Sequence, residues 1–256
     1  MMLALRHTRS LAIRQLLALW RQPWFVAITL VQPMIWLLLF GALFKRVVDI
    51  PGFHGHSYLT FLTPGVVTMS ALFSAGWHGM GLINAMDRGI LDRFLVAPVS
   101  RGAMIAGSLV HSAVVILIQS LVIVGVAFAA GARFSASAVV IMLVVPLLLG
   151  GAITALSDAL ALVARQEETL IGAVQFVALP LTFLSSGMMA PNLLPGWIHD
   201  IARFNPVNWT VVALRAVSSS NADWSAFGIR TALLVGLLAV ASVVSTRAFG
   251  AYQRSV

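Results

Sequence analysis

The chain has 256 residues, a net charge of +8, and side chains that are 60% hydrophobic and only 9% charged, with a mean hydropathy of +0.97. That is more apolar side chain than a soluble domain of this length buries, and several runs reach the roughly 20 residues that a bilayer-crossing helix needs. The basic residues are scattered between the apolar runs, which argues for loops facing anionic lipid heads and against nucleic acid, and the absence of cysteine excludes disulfides and thiolate metal sites.

Residues 1–22 come first. On a helical wheel at about 100° per residue, Arg6, Arg14 and Arg21 share one side, while Leu5, Ala12, Leu16 and Leu19 lie towards the other. This predicts an amphipathic helix on the membrane surface; the alternative, the basic region of a signal peptide, lacks the small-residue cleavage pattern. The first span is expected at 24–44, with Trp24 as an interfacial anchor and a kink at Pro33. A polar loop follows. Its His54-Gly55-His56 has no further metal donors nearby and reads as solvated loop, so no metal site is expected.

The second span is expected at 60–86, with Ala71, Ala75 and Gly79 recurring every four residues so that another helix can approach closely. Then comes the densest charge in the chain. Residues 87–101 hold Asp87, Arg88, Asp92, Arg93 and Arg101 between two long apolar runs. Such density does not lie in hydrocarbon, so the segment is expected in water or against another protein. The third span (102–130) and the fourth (136–163) are joined by a turn short enough to make them an antiparallel hairpin. The fourth carries its own small-residue row, Gly151, Ala155 and Ala159. The fifth is expected at 169–188 and contains Pro180; the sixth is expected at 229–245. Between them, 190–220 is too apolar for a solvated loop and too punctuated by proline for a spanning helix, and it reads as re-entrant or interfacial helices.

The fold class expected is therefore an all-α membrane protein of six transmembrane helices forming a single transmembrane domain. Counting Lys and Arg on each side gives ten with the amino terminus inside and six outside. This places both termini and 87–101 in the cytoplasm and 190–220 on the outer face.

Two motifs then carry a resemblance. Asp87-Arg88-Gly89-Ile90-Leu91-Asp92-Arg93-Phe94-Leu95-Val96-Ala97-Pro98 looks like an acidic-x-Gly-x-Leu-acidic-x-Leu-Leu-x-x-Pro pattern. Ser186-Gly187-Met188-Met189-Ala190-Pro191, Leu194-Pro195-Gly196-Trp197, Phe204-Asn205-Pro206-Val207 and Leu214-Arg215 look like an extracellular signature around the fifth span. Together with the layout of spans, these resemble the ABC-2 type permeases, the membrane subunits of ABC exporters. Many relatives continue the acidic run upstream of Asp87, where this chain has Asn84, Ala85 and Met86.

The resemblance implies an exporter of amphipathic drug, lipid or glycan in a bacterial-type inner membrane. It also implies two copies of an ABC ATP-binding subunit, which carry ATP and Mg, and a second permease copy as homodimer or related heterodimer. In that family the loop after span two is the coupling helix that seats on the ATPase. Here Asp87, Arg88, Asp92 and Arg93 would supply pairing charges, Leu91 and Leu95 apolar contacts, and Gly89 and Pro98 the turns. The outer signature falls on Gly187, Pro191, Pro195, Trp197, Asn205, Pro206 and Arg215. The residues themselves agree that this chain is not the ATPase. Its only lysine, Lys45, stands in no phosphate-binding glycine loop.

Intramembrane polar groups mark candidate transport paths. His78 lies nine residues before Asp87 and His111 ten after Arg101, so both sit about 13–15 Å from the cytoplasmic loop at 1.5 Å per residue. Either a shared water-lined cavity or a helix–helix hydrogen bond fits. Asp158, seven residues before Arg165, is expected nearer the surface in an interfacial contact. Met34, Met69, Met80, Met188 and Met189 offer adaptable apolar contacts or plain packing. Of the rival classes, a membrane enzyme finds no catalytic motif here. A proton-coupled multidrug carrier would use His78, His111 and Asp158, although no internal repeat supports it.

Overall fold

The computed structural model describes residues 23–49, 57–89, 101–189, 195–218 and 222–254. The expected surface helix, His54, His56, Pro191, and the part of the charged segment that holds Leu91, Asp92, Arg93, Leu95 and Pro98 lie outside the described residues. Among the described residues every regular element is a helix. The helices are α1 (Pro23–Ile35), α2 (Tyr58–Gly76), α3 (His78–Asp87), α4 (Arg101–Ala129) and α5 (Ala136–Ala164), then α6 (Glu167–Phe183), α7 (Gly196–Ala202), α8 (Pro206–Ser218) and α9 (Trp224–Tyr252). After α1 the chain stays helical through a π turn, Trp36–Phe40, and a last α turn, Gly41–Leu43. The irregularity in the first apolar helix thus falls just past Pro33, which itself stays inside α1.

Among the described residues, four helical stretches are long and apolar enough to cross a membrane: Tyr58–Asp87, Met104–Ala129, Ala136–Ala164 and Trp224–Tyr252. The helices expected at 24–44 and 169–188 are the shorter pieces. In particular, α6 stops at Phe183 and gives way to a hydrogen-bonded turn. The last helix is longer than expected, because Asp223 caps it six residues before 229 by accepting from the Ala226 N–H at 2.9 Å. Side-chain caps also start α2 and α5, where Ser57 and Ser135 accept from the amides of Thr60 and Ala138. The hairpin between α4 and α5 turns on Gly131, whose φ of +96° is costly for a side-chain-bearing residue.

The architecture is organised around α5, which packs against α2, α3, α4, α6, α8 and α9. Small residues allow this. Gly151 faces Leu238, and Ala152 and Ala155 close on Ala241 of α9. Gly79 lies directly on α5, where an added Cβ would come within 2.6 Å of the Ser157 carbonyl oxygen. Both small-residue rows therefore bring helices together. At one end of the bundle the ends of α2, α4 and α6 meet; the Tyr58 hydroxyl donates to the Met188 carbonyl and Thr60 accepts from the Arg133 N–H. At the other end Ile105, Leu162, Phe249 and Tyr252 cluster, and Arg165 lies over the Tyr252 ring.

Candidate functional site

Two polar assemblies stand out, one inside the bundle and one capping the end that holds Tyr58. The inner one begins with a break. The stretch 58–87 would be a single helix but for Trp77, where the Ser157 side chain of α5 inserts. Its hydroxyl accepts from the Gly79 N–H at 3.0 Å and donates to the Gly76 carbonyl at 2.6 Å, taking the places of two rungs of the helix's own ladder. The break sets His78 against the next residue of α5: its Nδ1 lies 2.8 Å from Asp158 Oδ1. The His111 ring of α4 packs on the His78 ring with centroids 5.3 Å apart. One turn along, the Thr154 hydroxyl donates to Ser112 at 2.6 Å, pinning α5 to α4 beside the same cluster.

The two histidines expected at equal depth are thus in contact. Asp158, expected in an interfacial contact, is 1% exposed and shares a hydrogen bond with His78 within the cluster. Counting depth along α5 leaves it two residues, about 3 Å, shallower than His78, a gap that the side chains span. Asp158 Oδ2 and His111 Nδ1 are buried with no hydrogen-bond partner among the described residues. Polar atoms left unpaired inside an apolar bundle are costly, which marks the cluster as a place to look for function. No group of three metal-ligating residues occurs among the described residues.

The capping assembly is built from the turn after α6 and the short helices that follow. Asn205 caps α8 by accepting from the Val207 N–H at 2.9 Å, and Pro206 takes the first helical position, which needs no N–H. The same Asn205 donates to the carbonyls of Leu181 and Leu184, closing the end of α6. Asn208 accepts both the backbone N–H and the hydroxyl of Ser186 and donates to the Ala202 carbonyl. Arg215 completes the cap. Its guanidinium donates to the carbonyls of Ser186 (2.6 Å), Gly187 (2.9 Å) and Phe61 (3.1 Å) while lying 3.6 Å above the Phe61 ring. Gly187 in turn packs its backbone on Gly65, leaving no room for a Cβ there. Of the remaining signature residues, Pro195 precedes α7 and accepts from the Ile198 and His199 amides, while Trp197 is exposed.

Where α3 ends, Asp87 and Arg88 are exposed and Gly89 takes a φ of +62°. Asn84, one turn earlier, donates to Glu167 at the start of α6. Between α1 and α2 there is also a cavity of about 80 Å³, lined by Gln32, Trp36, Met69, Phe73, Trp77 and Gln119, among others. Gln119 accepts from Ser70 and donates to Thr29 across it. Of the other methionines, Met34 and Met80 are packed in apolar clusters and Met189 is exposed. Ser157, Asn208, Gly65 and Gln119 were not singled out from sequence. A serine or glycine among small helical residues carries no signal of its own, whereas Gln119 in a long apolar helix is a polar exception that was there to be read.

Membrane-length helices around buried ionisable groups, with a proline-punctuated cap, suit a multi-pass membrane protein. The chain matches the family described as ABC-2 type transporter over residues 6–218, and it belongs to that family. It is similar to the daunorubicin resistance ABC transporter permease protein DrrB1 of Streptomyces coeruleorubidus, 27% identical over 85% of this chain and 76% of the relative. It is also similar to the inner membrane transport permease YadH of Escherichia coli K12, 24% identical over 83% of this chain and 81% of that protein.

Proposed function

We propose that the chain is the membrane-spanning subunit of an ATP-driven exporter that moves an amphipathic drug or lipid, or else a glycan, out of the cytoplasm or inner leaflet. The observation that carries this reading is the family match from residue 6 to residue 218, which takes in both the charged segment and the outer signature. The drug-resistance name of one relative supports an amphipathic drug. In this reading the chain crosses an inner membrane six times with both termini cytoplasmic. The four long helices account for four crossings, the helical stretch 23–43, about 30 Å at 1.5 Å per residue, for another, and α6 with its turn for the last. The segment 87–101 seats on the ATP-binding subunit. ATP and Mg stay on that partner, two copies of which work with two permease copies.

The test is a mild-detergent pull-down of the tagged chain from its native membrane beside a Gly89→Pro/Asp92→Arg variant. An ATP-binding subunit should accompany the parent and be lost from a variant that still elutes as a folded protein. If none accompanies the parent, the reading fails. The buried His78–Asp158 pair with its free carboxylate oxygen favours one rival, a proton-coupled carrier using His78, His111 and Asp158. Doxorubicin efflux that collapses on adding a protonophore while ATP is intact would favour that rival. Efflux that persists would favour the exporter.

A further inference from the structure

We infer that Ser157 and Asp158 clamp α3 onto α5, so that α3 moves with α5 as one body and bends away from α2 at Trp77. The inference rests on the coupling role proposed above for the segment into which α3 runs. At the top of α3, the ladder rungs that would tie it to α2 have been handed to a neighbour. The Gly79 N–H, which would reach Ala75 in an unbroken helix, donates to Ser157, and the Gly76 carbonyl accepts from the same hydroxyl in place of the Met80 N–H. Met80 falls back on the Trp77 carbonyl at 3.2 Å. A helix that has surrendered rungs at one point bends there most readily.

Further ties along α3 run to α5 and α6, beside the His78 ring contact with His111 of α4 and the packing of Leu82 and Met86 against Ile105, Leu162 and Phe249. His78 pairs with Asp158. Gly79 rests directly on the α5 backbone. Ile83 packs in one apolar cluster with Ala161 of α5 and Leu170 of α6. Asn84 donates to Glu167. The next turn reaches Asp87, the first residue of the charged segment, so a displacement arriving there is delivered directly to α5 and α6. The groups named by charge and ring contact around the clamp are His78, His111 and Asp158 alone among the described residues. Ser157 and Asp158 are thus positioning residues.

The chain has no native cysteine, so an Ile83→Cys/Ala161→Cys pair reports on α3 and α5 without background. In the complex with its ATP-binding subunit in lipid nanodiscs, the crosslinking rate under copper phenanthroline is measured without nucleotide and after trapping with ATP and vanadate. With the clamp intact the two rates should agree within about twofold; adding Ser157→Ala or Asp158→Asn should make them differ by about fivefold or more. Size-exclusion elution and retention of the ATP-binding subunit establish that each variant is folded. A parent pair whose rate changes about fivefold on trapping overturns the clamp, as do two folded variants that behave like the parent. If the parent chain brings down no ATP-binding subunit, the coupling reading itself has failed, and that result is seen before any crosslink is made.

Discussion

Among the described residues Arg215 meets no acid: its partners are three backbone carbonyls and an aromatic face. Carbonyls at the end of a helix and in a tight turn have no ladder partners, and a planar guanidinium reaches several of them at once where an ammonium cannot. Arg215→Lys should therefore destabilise the folded chain by about 2 kcal/mol or more, read as a lower melting temperature in detergent, even though charge is kept. Asp158 sets the opposite problem, since removing one member of a buried pair strands the other, typically at about 3–5 kcal/mol. His78→Gln or Asp158→Asn alone should thus cost more than the neutral double variant His78→Gln/Asp158→Asn. Strict additivity in that cycle would show that the pair contributes no coupling.

At the scale of elements, close approach of backbones decides which glycines matter. Gly65 meets the Gly187 carbonyl and Gly79 meets Ser157, both backbone that cannot step aside, whereas Gly81 has nothing within 4 Å. Gly65→Ala and Gly79→Ala should sharply reduce the yield of folded protein in membranes, and Gly81→Ala should leave it unchanged. Quantitative blotting against a fluorescent fusion is enough to decide. Much of this layer was readable from the chain itself. The long apolar helices, the tight turn at Gly131, the small-residue rows and the equal depth of His78 and His111 all follow from period, length and hydropathy. What was not readable is the work done through main-chain atoms. Ser157 acts on a carbonyl and an amide, and Arg215 acts on carbonyls, and such partners leave no trace in residue identity. Asp158 was legible as an intramembrane acid; its pairing with His78 was not, because a difference of two residues in counted depth was enough to separate them.

For the whole molecule, alternate helix ends gather at two poles: Tyr58, Arg133 and Met188 at one, Asn84, Arg165 and Tyr252 at the other. Single cysteines at the exposed positions Arg133 and Gln166 should react with a membrane-impermeant maleimide from opposite sides of sealed vesicles. Labelling of both from one side would refute the arrangement. The cap at the first pole has a consequence for how such a protein can diversify. Because Arg215 grips carbonyls, the lock is indifferent to which side chains the gripped turn displays, provided Ser186 and Gly187 keep their tight fit. Neighbouring residues such as the exposed Met189 are then free to drift under selection. A lineage could retune the surface at this pole, or an engineer could randomise it, without rebuilding the part that holds the turn in place.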